Sequence, residues 1–158
     1  MQPMGILVRP LHREDEDTVR AIVLLAQEEH DPSASHPAPA TFLDAFDTPG
    51  SEYLVVEVDG ALVGGGGFAA LPGSSGTADV QSLYLARESR GRGLGRALLE
   101  AVVRAAHAAG YTTLYTELAP DMAAAQRLLW AGGFLPRSDR LGDTGRDDYS
   151  VFLELAIS

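Results

Sequence analysis

The residues best suited to chemistry in this sequence are residues 90 to 96, which read Arg-Gly-Arg-Gly-Leu-Gly-Arg. They follow an apolar run at residues 83 to 85 and precede an amphipathic stretch, which predicts a turn from a strand into a helix. Glycines let a backbone turn tightly and approach a ligand, and the first N–H groups of a helix favour anions. With the neighbouring arginine side chains, these groups predict a pyrophosphate site.

Two common nucleotide-binding patterns do not fit this run. A dinucleotide fingerprint needs a third glycine three positions after the second, and that position, counted from Gly91 and Gly93, is Arg96. A P-loop needs lysine, and the chain contains none. The remaining pattern is Arg/Gln-x-x-Gly-x-Gly/Ala, which Arg90, Gly93 and Gly95 satisfy.

The elements that must position this site alternate along the chain. Asp59-Gly60 between apolar runs predicts a type I′ hairpin, and the glycines at 64 to 67 predict a bulge, a bend or a close backbone approach. Strands are predicted at about residues 6–8, 53–58, 61–70, 78–85, 111–118, 134–141 and 149–155, and helices at about 14–29, 40–46, 94–109 and from 120. This order predicts one α/β domain over residues 1–158, with helices on both faces of a mixed sheet.

Composition excludes several classes of function. The net charge is −10, and residues 10 to 60 account for all of it, which argues against nucleic acid or an anionic membrane as a partner. The chain has no cysteine, and its four histidines lack metal-site spacing. No apolar run reaches the roughly 18 residues of a membrane span, and the start lacks a signal-peptide pattern. We therefore expect a cytoplasmic protein without a metal.

The run at 90 to 96 resembles the acetyl-CoA loop of the GNAT superfamily of N-acetyltransferases. A second stretch supports the resemblance: Leu114 to Leu118, with Glu117 near its end, and then Ala124, Leu128 and Gly133-Phe134 are similar to the strand and helix of the family that end in Gly-Phe. Motifs and element order agree over roughly residues 5 to 155. The resemblance implies a mostly antiparallel sheet of about seven strands that splays between the fourth and fifth.

The resemblance also implies site residues. The diphosphate of acetyl-CoA would contact the loop mainly through backbone N–H groups, and strand-four backbone at Leu83 and Leu85 would hold the pantetheine and thioester. Asp79, eleven residues before Arg90, falls where the family often has a general base, and Glu117 is a second candidate. The implied loop contacts are Arg90, Gly91, Arg92, Gly93, Leu94, Gly95 and Arg96.

The chain departs from the family pattern at two positions. Leu129 stands where many members have a tyrosine that protonates the leaving thiolate, and Met122 stands where an asparagine often begins the helix. Trp130 is adjacent, with core packing as its expected role, and Tyr84, Tyr115 and Tyr149 are substitutes only if geometry allows.

The function predicted from the resemblance is acetyl transfer to a primary amine by direct attack in a ternary complex. An acyl-thiol enzyme is excluded because cysteine is absent. The acidic residues before position 60 predict a cationic or neutral acceptor, a small molecule or peptide, and the family implies a possible homodimer. Two alternatives stay open: a non-catalytic acetyl-CoA-binding regulator, and an arginine-rich module for another phosphate ligand.

Overall fold

Seven strands form one sheet in a computed structural model that describes residues 5–30, 42–120, 122–142, 144 and 150–157. Neighbouring strands are antiparallel except for the parallel pair β4 and β5, which confirms the predicted mixed, mostly antiparallel sheet. In sheet order the strands are β1 (Ile6–Pro10), β2 (Glu52–Val58), β3 (Ala61–Ala70), β4 (Thr77–Leu85), β5 (Thr113–Leu118), β7 (Val151–Ala156) and β6 (Leu135–Arg137).

Helices cover both faces of this sheet, as predicted. The helices are α1 (Glu16–His30), α2 (Leu94–Ala108) and α3 (Ala123–Ala131). On one face α2 buries Leu98 and Val102 completely, and on the other face α1 packs Val19 and Val23 against β2. No helix in the described ranges has the length and apolar character that would let it cross a membrane.

Arg9 fixes the start of α1 relative to the first two strands. Its guanidinium donates to both carboxylate oxygens of Asp15, at 2.7 and 3.0 Å, and its Nε lies 2.5 Å from Glu57 on β2. The hydrogen bond from Arg9 holds the pKa of the Asp15 carboxyl below its usual range, so the carboxylate stays ionised. The sequence predicted the early acids only as charges at a helix start.

Several predicted boundaries are wrong. Residues 42–46 form a 3₁₀ turn rather than an α-helix, while residues 40 and 41 lie outside the described part. The strand predicted over 134–141 spans only Leu135–Arg137, and further along Leu141 donates its N–H to the hydroxyl of Tyr115 instead of to a neighbouring strand. Tyr149 also lies outside the described residues.

The hairpin and the glycine run behave as predicted. Asp59 and Gly60 both have positive φ, 50° and 86°, as a type I′ turn requires. Gly67 pairs with Gln81 and Gly65 with Tyr84, so β4 has one residue more than β3 between these pairs and bulges there. A Cβ at Gly66 would overlap the Leu83 Cδ1 atom, so a larger residue opposite the bulge would force the Leu83 side chain to move.

We predict that Gly66→Ala lowers the free energy of unfolding by about 1–3 kcal/mol, because the new methyl group meets the Leu83 Cδ1 atom. Urea unfolding of Gly66→Ala, of Leu83→Ala and of the double variant measures this. Since Leu83 is the obstacle, the double variant should lose less free energy of unfolding than the sum of the losses in the two single variants. Strict additivity would contradict the explanation.

Candidate active site

β4 and β5 part after three paired positions. The register ends with Asp79 opposite Tyr115, although both strands continue beyond that pair. Just past it, the buried Thr116 hydroxyl donates to the Val80 carbonyl oxygen at 3.0 Å and bridges the widening gap. The splay predicted between the fourth and fifth strands is therefore present.

The backbone of β4 beyond the bulge faces this gap. The Ala86 N–H donates to the Val63 carbonyl of β3 at 2.7 Å, so residue 86 points toward β3. Because hydrogen-bonding direction alternates along a strand, Leu85 and Leu83 point the other way, into the gap. The structure thus brings both residues to the place where the sequence predicted pantetheine contacts.

The loop after β4 presents open backbone at the start of α2. Gly91 and Gly93 have φ of 78° and 77°, and a Cβ at either would meet no atom within 4 Å. Gly93 is the N-cap of α2, and no side chain caps the helix there. The first N–H groups of a helix lack intrahelical acceptors and favour an anion, so the space and the donors fit a diphosphate.

The arginines of the loop have different roles in the structure. Arg90 donates from Nε and Nη2 to the Leu85 carbonyl oxygen, at 3.2 and 3.1 Å, and its own N–H donates to Arg87 at 3.3 Å. Arg96 is exposed and lies 3.2 Å from Glu100, one turn along α2. Arg92 is exposed.

Gly95 is required by helix packing. A Cβ at this position would lie 3.2 Å from a Leu128 methyl carbon and 3.5 Å from Leu85 Cδ1. The absent side chain therefore makes room for α3, which the motif alone did not reveal, while the predicted contact of Gly95 with the cofactor stays a prediction.

Asp79 and Tyr115 are register partners on parallel strands, so their side chains leave the same face of the sheet. Only 3% of Asp79 is exposed, and Tyr115 is fully buried. Glu117 stands two residues further along β5 and therefore on that same face. The structure thus places both candidate carboxylates on one face of the split strands.

Glu117 is the centre of a buried polar cluster. Its Oε2 accepts the Tyr115 hydroxyl at 2.6 Å and lies 3.5 Å from Arg140 Nε, while Oε1 accepts the Thr144 hydroxyl. Tyr115 in turn accepts the Leu141 N–H at 3.1 Å. Burial, and then the hydrogen bond to Glu117, raise the pKa of Tyr115 to about 12, so this phenol stays protonated at neutral pH.

Sequence reasoning missed three members of this cluster: Arg140, Leu141 and Thr144. The period of two along β5 is the one local signal, because it puts Tyr115 and Glu117 side by side. The other contacts join positions 23, 26 and 27 residues apart, which no local pattern reports. The Tyr115 hydroxyl donates one hydrogen bond to Glu117 and accepts another from Leu141, which is typical of a tyrosine with a structural role.

The departures from the family pattern have separate outcomes. Leu129 is 2% exposed and belongs to the core cluster that also includes residues of α2. Trp130 is 50% exposed, so its expected role in the core is wrong. Within the described ranges no group of histidine and carboxylate side chains could hold a metal ion.

A cavity of 470 Å³ lies elsewhere on the molecule, between the start of α1 and the start of β2. Arg13, Arg20, Glu16, Glu52 and Tyr53 are among its lining residues, whereas the split strands contribute none. This cavity therefore does not mark the site. The open strand edges and the glycine loop identify it instead.

Comparison with known proteins agrees with this geometry. Residues 19–134 match the model of the acetyltransferase (GNAT) family. The uncharacterized N-acetyltransferase YjgM of Escherichia coli (strain K12) is 30% identical over 101 residues, which span 60% of this chain and 60% of that protein's length.

Two solved structures share the fold. A GNAT-family acetyltransferase from Staphylococcus aureus Mu50 covers 98% of this chain, and all of its own, with a TM-score of 0.80 at 13% identity. YncA of Salmonella typhimurium, whose structure contains its cofactor acetyl-CoA, has a TM-score of 0.74 at 19% identity and matches 97% of this chain and 94% of its own. With a family model that matches most of its length, and with the split strands and the glycine loop in place, this chain belongs to the GNAT family of acetyltransferases.

Proposed function

We propose that this protein transfers the acetyl group of acetyl-CoA to a primary amine by direct attack. The observation that carries the proposal is that β4, which lines the gap with β5, leads directly into the open glycine loop at the start of α2. Acetyl-CoA supplies a thioester: a C–N bond to the acceptor forms, the C–S bond breaks, and coenzyme A leaves with the sulfur. The residues of the chain bind, orient and move protons around that exchange.

The loop and the strand edge would bind different parts of acetyl-CoA. The N–H groups at the start of α2, with Gly91 and Gly93 as open backbone, would take the diphosphate. The gap-facing backbone of Leu83 and Leu85 would take the amides of the pantetheine arm. Arg90 would support this arrangement by holding the Leu85 carbonyl, while Arg92 and Arg96 add positive charge at the rim.

The chemistry requires a base. An amine with a pKa near 10.4 is almost wholly protonated at pH 7, and removing that proton costs about 4–5 kcal/mol. We assign this step to Asp79, which would accept the proton directly or through one water. Its setting supports the assignment, because a charge exposed by only 3% interacts more strongly with a bound ammonium than it would in water.

Leu129 is the observation that keeps the non-catalytic regulator as a second candidate. The residue is a buried leucine of the core, so the chain has no phenol at that position. A thiol pKa near 8.5 makes the leaving thiolate tolerable without a side-chain acid, and for this reason we favour the enzyme.

A thiol-release assay over a panel of amines tests the proposal. We expect coenzyme A release and an N-acetylated product with cationic or neutral acceptors, since twelve acids stand against two arginines in residues 10 to 60. Binding of acetyl-CoA without turnover of any amine would indicate the regulator. Tighter binding of another phosphate ligand, which acetyl-CoA fails to displace, would indicate the anion-binding module. A preference for anionic acceptors would contradict the charge argument.

We predict that Gly93→Glu abolishes acetyl-CoA binding, with Kd raised by about 100-fold or more, because its carboxylate enters the anion space and repels the diphosphate. Calorimetric titration measures this. Gly110→Glu is the matched control: φ is 99°, a Cβ there also meets open space, and the position lies at the other end of α2. The control should bind like wild type. Equal loss in both variants would point to backbone strain instead of the loop.

We predict that Asp79→Asn lowers kcat/KM by about 100-fold or more at pH 7, with part of the loss recovered at higher pH, where the free amine is abundant. Acetyl-CoA affinity should stay unchanged. A pH–rate profile from pH 6 to 9 with one identified acceptor measures this. Asp59→Asn, in the hairpin turn, removes the same charge far from the gap and should match wild type. Wild-type rates for Asp79→Asn would exclude it as the base.

A further inference from the structure

Residues 140–142 and 144, the crossing segment, follow β6 and lie against the face of the sheet that carries Asp79. At Leu141 the segment is hydrogen-bonded to Tyr115 on β5. At Gly142 it is pressed against the turn between β3 and β4: a Cβ there would overlap the Pro72 carbonyl oxygen and lie 2.9 Å from Leu71 Cγ.

These two contacts place the segment beside the first residues of β4. In the sheet, β4 lies between β3 and β5, so a segment that touches β5 at Tyr115 and the end of β3 at Leu71 passes the start of β4. Asp79 stands there, opposite Tyr115. The segment therefore lies beside Asp79 on that face, and it borders the approach of any acceptor to that carboxylate.

Glu117 contacts the segment at two residues, Arg140 and Thr144. Thr144 donates to Oε1, and Arg140 Nε lies 3.5 Å from Oε2, which the Tyr115 hydroxyl also approaches at 2.6 Å. Arg140 is held from its other side by the Phe152 ring, 5.4 Å from the ring centroid. The side chain of Glu117 is fully buried, and a buried carboxylate needs such an opposite charge and such donors.

We propose that Glu117 is a positioning residue that fixes the crossing segment to β5 and thereby shapes the acceptor side of the site. This inference rests on the proposed acetyl transfer for its effect on the acceptor, and on the contacts alone for the fixing itself. A base must keep a lone pair directed at the substrate. Both oxygens of Glu117 instead accept donors from the protein, and one of those donors, Tyr115, also holds the segment through Leu141.

Glu117→Gln tests the inference, because it preserves size but turns one acceptor atom into a donor and removes the pairing with Arg140. Hydrogen exchange of the Leu141 amide should accelerate by about tenfold or more, the size of one lost charge-assisted hydrogen bond. The KM for the acceptor should rise by a similar factor. Both kcat and the pH–rate profile should keep their wild-type form, and the Kd for acetyl-CoA should not change.

Two further variants make the result specific. Thr144→Val removes one donor without burying a new polar group, so it should shift Leu141 exchange and KM in the same direction even if Glu117→Gln fails to fold. Glu57→Gln is the matched control: it breaks the 2.5 Å ion pair with Arg9 at the opposite edge of the sheet and should leave both measurements at wild-type values.

The outcomes separate the alternatives. A loss of kcat of about 100-fold in Glu117→Gln, recovered at high pH and with Leu141 exchange unchanged, would make Glu117 the base and overturn the inference. Wild-type exchange and wild-type KM in both Glu117→Gln and Thr144→Val would also overturn it. If no amine is acetylated at all, the proposed function fails, yet accelerated or unchanged exchange at Leu141 still decides whether Glu117 fixes the segment.

Discussion

The early end of pairing between β4 and β5 is the constraint on which the rest of the structure depends. Strand edges opened inside a sheet expose N–H and C=O groups, and these need partners. Side chains satisfy part of the demand: Thr116 takes the first carbonyl past the split, at Val80, and Arg90 takes the carbonyl of Leu85. What remains is a line of backbone groups facing a gap, which suits a ligand with amides along its length.

The bulge in β4 turns this gap toward the glycine loop. One extra residue reverses the alternation of the strand, so the backbone groups of Leu83 and Leu85 point away from β3, although those of Thr77, before the bulge, point toward it. Gly66 lies opposite this bulge, and a side chain there would displace the Leu83 side chain. The glycine run, which has low strand propensity, thus lies opposite the bulge that directs the backbone groups of β4 into the gap.

Local patterns predicted the parts of the molecule that local chemistry decides. Asp59-Gly60, the glycine loop, the element order and the split followed from spacing and from family resemblance, and the structure confirms them. The cluster around Glu117 did not follow from local patterns, because Arg140 and Thr144 lie far from Glu117 in the sequence, in a stretch without hydrophobic periodicity. The prediction that Trp130 packs in the core is wrong for a related reason: which side of α3 is buried depends on tertiary packing, which composition does not encode.

Asp79 and Glu117 show how two carboxylates on one face come to differ. Glu117 interacts with a guanidinium, a phenol and a hydroxyl, so groups of the protein itself compensate its negative charge. Asp79 stands where the paired strands end and the gap begins. The reaction makes unequal demands on such groups: an ammonium with a pKa near 10.4 must lose its proton before attack, whereas a thiol with a pKa near 8.5 departs readily as the thiolate. With Asp79 as the base that we propose, a site without a phenol at Leu129 would still have what the harder step requires.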